Sequence, residues 1–259
     1  MLVSGTGVSR LASFQVDPFK VQTENEPNDN PARARKLELP ITVTGVIEEG
    51  DEDCFTVELT KGQRLSAEVI ALPLSRFLFD AAIEVLDPNG IRIASADDNP
   101  LTAQDPVLTL IAPKTGRYTV RIREAAYGGD LDARYRVHLS DKPRPIVAFP
   151  AEKIIDQETT TMLLGDASGP LEYVFGAQAS PHDTGGSECT ATFHLSRPDT
   201  SSPARPSLTS IRLCRTDAAG TRESEPNDSA TDATDADRGD STSQAFAFNG
   251  ILSEPMDVD

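Results

Sequence analysis

Tryptophan is absent from the 259 residues, aromatic residues make up only 5%, and there are three histidines and three cysteines. Cys54, Cys189 and Cys214 are too few and too scattered for a disulfide framework, and no CxxC pair marks a zinc knuckle. Basic residues are scarce: 24 Lys and Arg face 41 Asp and Glu, a net charge of −17. A phosphate-binding surface needs clustered Lys and Arg, so nucleic acid is excluded as a partner. No apolar run reaches the roughly 18 residues of a membrane-spanning helix, so membrane insertion is not expected. Met1 to Lys20 lacks the apolar core and cleavage site of a signal peptide. Catalytic signatures are missing too: there is no G-x-S-x-G, no P-loop and no HExxH. Asp183-Thr184-Gly185 has no second copy, so an aspartic-protease carboxylate pair cannot form. The chain is not expected to be an enzyme.

What the chain does have is period-two patterning between Ile41 and Leu139. Phe55, Val57 and Leu59 alternate with Thr56 and Glu58; Leu65, Ala67 and Val69 alternate with Ser66 and Glu68. The same holds for Tyr118, Val120 and Ile122 and for Tyr135, Val137 and Leu139. Strict alternation puts one strand face in a core and the other in water, as in antiparallel sheets. Turn signals fall between the runs at Lys61-Gly62, Asp87-Pro88-Asn89-Gly90, Lys114-Thr115-Gly116 and Tyr127-Gly128-Gly129-Asp130. Eight strands are predicted, near 41–47, 53–59, 64–71, 81–86, 91–95, 107–111, 117–123 and 133–139. The fold class is therefore all-β, a sandwich or jelly roll. On this pattern Tyr118 and Tyr135 face the core, and His138 faces outward as a solvated surface histidine.

Four segments are expected: an N-terminal tail at 1–22, the sandwich at 23–141, a small β or irregular region at 142–220, and 221–259. In the third, short strands are predicted at 146–149, 159–164, 171–175, 190–195 and 210–213, and Cys189 could pair with Cys214 after export. His182 and His194 lie there without ligand spacing, and Asp228 to Ser243 reads as a solvated linker, in which Arg238-Gly239-Asp240 is a chance tripeptide.

The most informative feature is a repeat. Glu24-Asn25-Glu26-Pro27-Asn28-Asp29 recurs 199 residues later as Glu223-Ser224-Glu225-Pro226-Asn227-Asp228. Each copy leads to a short apolar strand with Gly (Gly45, Gly250) and then an Asp-x-Asp, Asp51 to Asp53 and Asp257 to Asp259. Residues 221–259 thus read as a linker and the start of a second domain, as in a fragment of a longer protein or a truncated reading frame.

Between Glu24 and Asp53 stand nine acids and three bases. Gathering such carboxylates is costly unless a cation sits among them, and calcium takes 6–8 oxygens from carboxylates, amides and backbone. Glu24, Glu26 and Asn28 are spaced two apart, so an extended segment presents them on one side; Asp29 adds an oxygen from the following turn, and Asp51 and Asp53 are again two apart. The other reading is purely structural: Pro27 fixes the chain while Asn28 and Asp29 make Asx turns.

The E-x-E-P-N-D opening, Gly45-Val46-Ile47 before Gly50-Asp51-Glu52-Asp53-Cys54-Phe55, and Lys61-Gly62-Gln63-Arg64-Leu65 resemble the bacterial pre-peptidase C-terminal domain family. Ile83 to Gly90, Asp97-Asp98, and Thr115 to Arg121 match its later landmarks in order. The resemblance covers roughly 24–140 and implies a jelly-roll-like sandwich appended to secreted hydrolases, similar to the collagen-binding domains of clostridial collagenases. It implies calcium as the cofactor, held by Glu24, Glu26, Asn28, Asp29 and Asp53, with Asp51 a looser match. It also implies an extracellular or cell-envelope location and, as partners, neighbouring domains of a longer protein or an extracellular polymer. Cys54 stands where the family has a larger residue. The expected function is a non-catalytic accessory domain that binds calcium and serves in attachment or positioning. The alternatives are an inert spacer or processing domain, and a piece of a secreted peptidase whose catalytic part is absent.

Overall fold

The computed structural model describes residues 3–4, 7–8, 17, 19–99, 104–154, 157–175, 182–183, 188–191, 211–216, 221–222 and 248–249. Every regular element among them is a strand, and no helix there is long and apolar enough to cross a membrane. Contacts divide the chain into two units, Met1–Arg144 with Leu195–Leu208, and Pro145–His194 with Thr209–Asp259.

The first unit opens with the short pair β1 (Val3–Ser4) and β2 (Gly7–Val8). It continues through β3 (Lys20–Thr23), β4 (Arg35–Leu37), β5 (Ile41–Val46), β6 (Glu52–Leu59), β7 (Arg64–Ile70), β8 (Ala81–Leu86), β9 (Arg92–Ala96), β10 (Val107–Ile111), β11 (Gly116–Glu124) and β12 (Arg134–Ser140). One sheet has the order β10-β7-β12-β5-β3 and the other β4-β6-β11-β8-β9. Their inward faces meet in one core that includes Phe55, Val57 and Leu59 of β6, Tyr118, Val120 and Ile122 of β11, and Tyr135, Val137 and Leu139 of β12. This is a β-sandwich, and strands β5 to β12 are the eight that alternation predicts.

Within the sandwich, two strands were not anticipated. β3 and β4 pair parallel to β5 and β6 on opposite sheets, so the sheets are not purely antiparallel. Neither carries an alternating pattern: β3 is an edge strand, largely exposed, and β4 contributes only Leu37 to the core. Residues 24–34 therefore cross from the edge of one sheet to the edge of the other.

The outer face of the β12 sheet is not a solvated one. His138 is 2% exposed, against the surface position expected of it. Its Nδ1 lies 2.8 Å from Thr42 Oγ1 and 3.2 Å from Asp17 Oδ1, and Arg136 pairs with the same Asp17. Period two assigns a side chain to a face but cannot tell whether that face meets water or a covering segment. Glu68, directly across from His138, is also buried, and Arg144 holds it through two 2.9 Å hydrogen bonds.

Burial, with Arg136 and Arg144 nearby, pushes the His138 pKa from 6.5 down to about 3. Its Nε2 is buried without a partner, which also disfavours the imidazolium. The unfolded chain thus takes up this proton first as the pH falls. Stability from this group is full above about 6.5 and is lost between there and about 3. Urea unfolding of the full chain across that interval is expected to show a loss steeper than that of His138→Gln by up to about 1.4 kcal/mol per pH unit. Equal slopes would assign the acid sensitivity to other groups.

On the outer face of the other sheet, Cys54 lies opposite Arg121 and is fully buried as a free thiol, which burial pushes up to about 12. Arg121 bridges Glu52 and Glu84. Burial of Glu84 favours its neutral form, but Arg121 and Arg92 outweigh this and hold its carboxyl below the usual range.

In the second unit, β13 (Val147–Phe149), β15 (Thr159–Leu164) and β16 (Leu171–Phe175) form one sheet. The other joins β14 (Glu152–Ile154), β19 (Ile211–Thr216), β18 (Glu188–Ala191) and β17 (His182–Asp183). The register sets Cys189 opposite Leu213 and Cys214 opposite Glu188. Thr184, Gly185, His194, the 228–243 linker and the Arg238-Gly239-Asp240 tripeptide lie outside the described residues. A last pair, β20 (Thr221–Arg222) with β21 (Phe248–Asn249), is parallel. It repeats the β3–β5 register: the residue before the repeat's first Glu pairs with the residue before its Gly, Thr23 with Thr44 and Arg222 with Asn249.

Candidate metal centre

The predicted carboxylates meet at one end of the sandwich. Glu24, Glu26 and Asp53 form a group whose oxygens lie within 4.8 Å of one another, and Glu26, Asp29 and Asp51 form a second. Glu26 belongs to both. The donors come from three places: the crossing segment after β3, the β5–β6 connection, and β6 itself. Of the nine acids in this stretch only these five gather. Glu52 is turned away, on the Arg121 side of β6.

Asp53 reaches the group from inside the sandwich. It shares the inward face of β6 with Phe55, Val57 and Leu59 and is fully buried. Tyr135, inward on β12, brings its hydroxyl 2.5 Å from Asp53 Oδ2 and 3.0 Å from Glu24 Oε2. Glu24 is fixed further by Val46 N–H, which donates to Oε1 at 2.8 Å. Gly45 makes room for this: a Cβ there would lie 2.3 Å from Glu24 Oε2 and 2.4 Å from the Tyr135 ring. Sequence reading missed Tyr135 and Gly45 as parts of the centre. Their signal was present, since both occupy inward positions at the strand ends nearest the acids.

The crossing segment does not continue β3 as an extended strand. The strand ends at Thr23; Glu26 is exposed while Asn28 is 1% exposed. The turn is closed by the Glu26 carboxylate, which accepts the Asn28 N–H at 3.0 Å, and the Asn28 carbonyl accepts Cys54 N–H at 3.1 Å. The Asx role considered for Asn28 falls to Asn30, whose Oδ1 accepts Ala32 N–H. The Asn28 side chain, both Oδ1 and Nδ2, is buried with no hydrogen-bond partner, as is Asp53 Oδ1.

Such atoms are costly to leave unmatched, by roughly 1–3 kcal/mol each. The electrostatics agree. Burial first, and then hydrogen bonding and repulsion from Glu24, raise the Asp53 pKa from 3.8 to about 10. Burial and the Glu26 charge raise Asp51 as well. Two carboxylates this close in a dry site need either a shared proton or a positive charge. The gathered groups are carboxylates, without imidazole or thiolate, which suits a hard cation of calcium's type.

A third acidic group, Asp80 with Asp97 and Asp98, is wholly exposed.

Residues 51–124 match the family model of the bacterial pre-peptidase C-terminal domain. The matched stretch runs from the Asp51 loop to the end of β11 and lies wholly within the sandwich. Solved structures similar to this chain include the pre-peptidase C-terminal domain of a Bacillus anthracis collagenase: 17% identity, 45% of this chain and 100% of that one, TM-score 0.34. The periplasmic inhibitors of g-type lysozyme from Aeromonas hydrophila (14% identity, 47% of this chain and 98% of that one, TM-score 0.29) and Salmonella Typhimurium (18%, 47% and 96%, TM-score 0.29) are also similar. No curated protein matches the chain.

Proposed function

We propose that the pre-peptidase C-terminal-like sandwich is a calcium-binding, non-catalytic accessory domain of a larger exported protein, and that it serves to attach or position its neighbours. The observation that carries the calcium reading is the pair of carboxylate groups joined at Glu26, together with Asp53 Oδ1 and the Asn28 side-chain oxygen, which are buried without any protein partner. Glu24, Glu26, Asn28, Asp29, Asp51 and Asp53 are the donors. Calcium there supplies the positive charge that the gathered carboxylates otherwise lack. It ties the crossing segment to β6 and so fastens the two sheets at one end. The family match supports the accessory role, and the family's place beside secreted hydrolases supports export.

Positioning is favoured over adhesion to a polymer. Tyr118 and Tyr135 are buried, and Tyr127 is the exposed aromatic among the described residues. No aromatic row is offered to a ligand on either sheet in that part of the chain.

The absence of tryptophan gives a direct test. Terbium, a luminescent stand-in for calcium, is expected to light up on excitation of tyrosine, because Tyr135 touches two of the donors. Calcium should quench that emission by competition, Glu26→Ala should abolish it, and calorimetry of the full chain should give heat with calcium. A full chain that yields neither signal would remove the calcium reading. Retention on insoluble collagen or polysaccharide that disappears with chelator would restore the adhesive role.

A further inference from the structure

The loop between β11 and β12, residues 125–133, contributes no donor to the calcium centre. It nevertheless grips the stretch that carries Asp51. Ile47 N–H donates to Ala133 O at 3.0 Å, Asp130 N–H to Ile47 O at 2.9 Å, and Gly50 N–H to Tyr127 O at 3.1 Å. Within the 47–51 turn, Asp51 N–H donates to Glu48 O at 3.2 Å and Glu48 N–H to Asp51 Oδ2 at 3.4 Å. Asp51 is therefore placed by a turn that is itself fastened at Ile47 and Gly50.

Two residues set the shape of the gripping loop. The Glu124 carboxylate accepts the N–H groups of Ala126 at 2.8 Å and Gly128 at 2.7 Å, folding the loop back on the end of β11. Gly129 lies flat against the 47–48 backbone. A Cβ there would come within 2.1 Å of Glu48 O and 2.6 Å of Ile47 O. Those are backbone atoms with no flexible end to give way, so the two loops would have to separate.

We propose that Gly129 and Glu124 are positioning residues of the calcium centre, acting through the 47–51 turn to set where Asp51 stands. The inference rests on the calcium reading. Supporting groups of this kind alter metal affinity by about 10–100-fold when removed.

Calorimetry of the full chain with calcium tests it, with thermal unfolding in chelator recorded beside each variant. Gly129→Ala is expected to weaken calcium on the order of tenfold. Glu124→Ala should weaken it too, and Glu124→Gln, which keeps a carbonyl acceptor, should recover most of the affinity. Gly62→Ala is the control: Gly62 sits at φ +84° in the β6–β7 turn, remote from the donors, with open space around it. It is expected to lower stability in chelator and to leave calcium affinity unchanged. Wild-type affinity in Gly129→Ala, or an equal loss in Gly62→Ala, overturns the proposal. If Gly129→Ala does not fold, the Glu124 pair decides: equal affinity in Glu124→Ala and the parent overturns it. Absence of calcium heat in the parent chain is a different failure, that of the calcium reading itself.

Discussion

Asp53→Asn is expected to abolish the stabilisation of the sandwich by calcium while leaving its stability in chelator unchanged or higher. The two halves of that result have one cause. Asp53 is fully buried, its Oδ1 has no protein partner, and burial together with Glu24 makes its charge unwelcome without a cation. An amide of the same shape is neutral without having to take up a proton in the ion-free site, and it keeps an oxygen for the Tyr135 hydroxyl. It also removes the ligand charge that draws the cation in. A ligand at a hundred times its dissociation constant stabilises the folded form by about 2.7 kcal/mol, so the parent should gain that much and the variant none. Thermal unfolding in calcium and in chelator measures both quantities. A variant as unstable in chelator as a core truncation would make Asp53 a structural residue, with its charge satisfied in some other way.

Arg144→Ala is expected to cost about 3–5 kcal/mol. Arg144 and Glu68 are both nearly inaccessible, and the guanidinium meets both carboxylate oxygens at 2.9 Å. Removing the arginine strands a buried carboxylate beside His138. Arg144→Lys should recover little, because an ammonium cannot match the two-pronged geometry. The double replacement Glu68→Leu with Arg144→Met should be close to neutral, since the desolvation cost of the pair leaves with the pair. Urea midpoints of these three variants and the parent give the comparison. A loss under about 1 kcal/mol for Arg144→Ala would mean that water reaches the pair, as at an exposed ion pair.

The sandwich was legible because one face of most strands packs into the apolar core while the other is largely polar, and that division writes period two into the sequence. β5 to β12 follow that pattern, whereas β3 and β4 leave no such trace: an edge strand facing water has no apolar partner to require. The acids of the centre could be named from spacing and family resemblance, but the way they assemble could not. Asp53 belongs to the inward series of Phe55, Val57 and Leu59, and an acid in that series is already a sign of a buried charge. His138 misled for the complementary reason. Its outward series is polar, yet Asp17, Arg136 and Thr42 surround it. A polar face covered by polar groups has the same sequence as a polar face in water.

The β3–β5–β12 register has a consequence for how such a domain is built into a larger chain. Lys20 and Leu139 both pair with Ile41, from its two sides. The backbone thus arrives and departs at a single pole of the sandwich, two strand spacings or roughly 10 Å apart. The carboxylates occupy the other pole. A host protein could accept the whole sandwich within one of its surface loops, with little distortion of the host, and the carboxylate-bearing tip would project away from the junction.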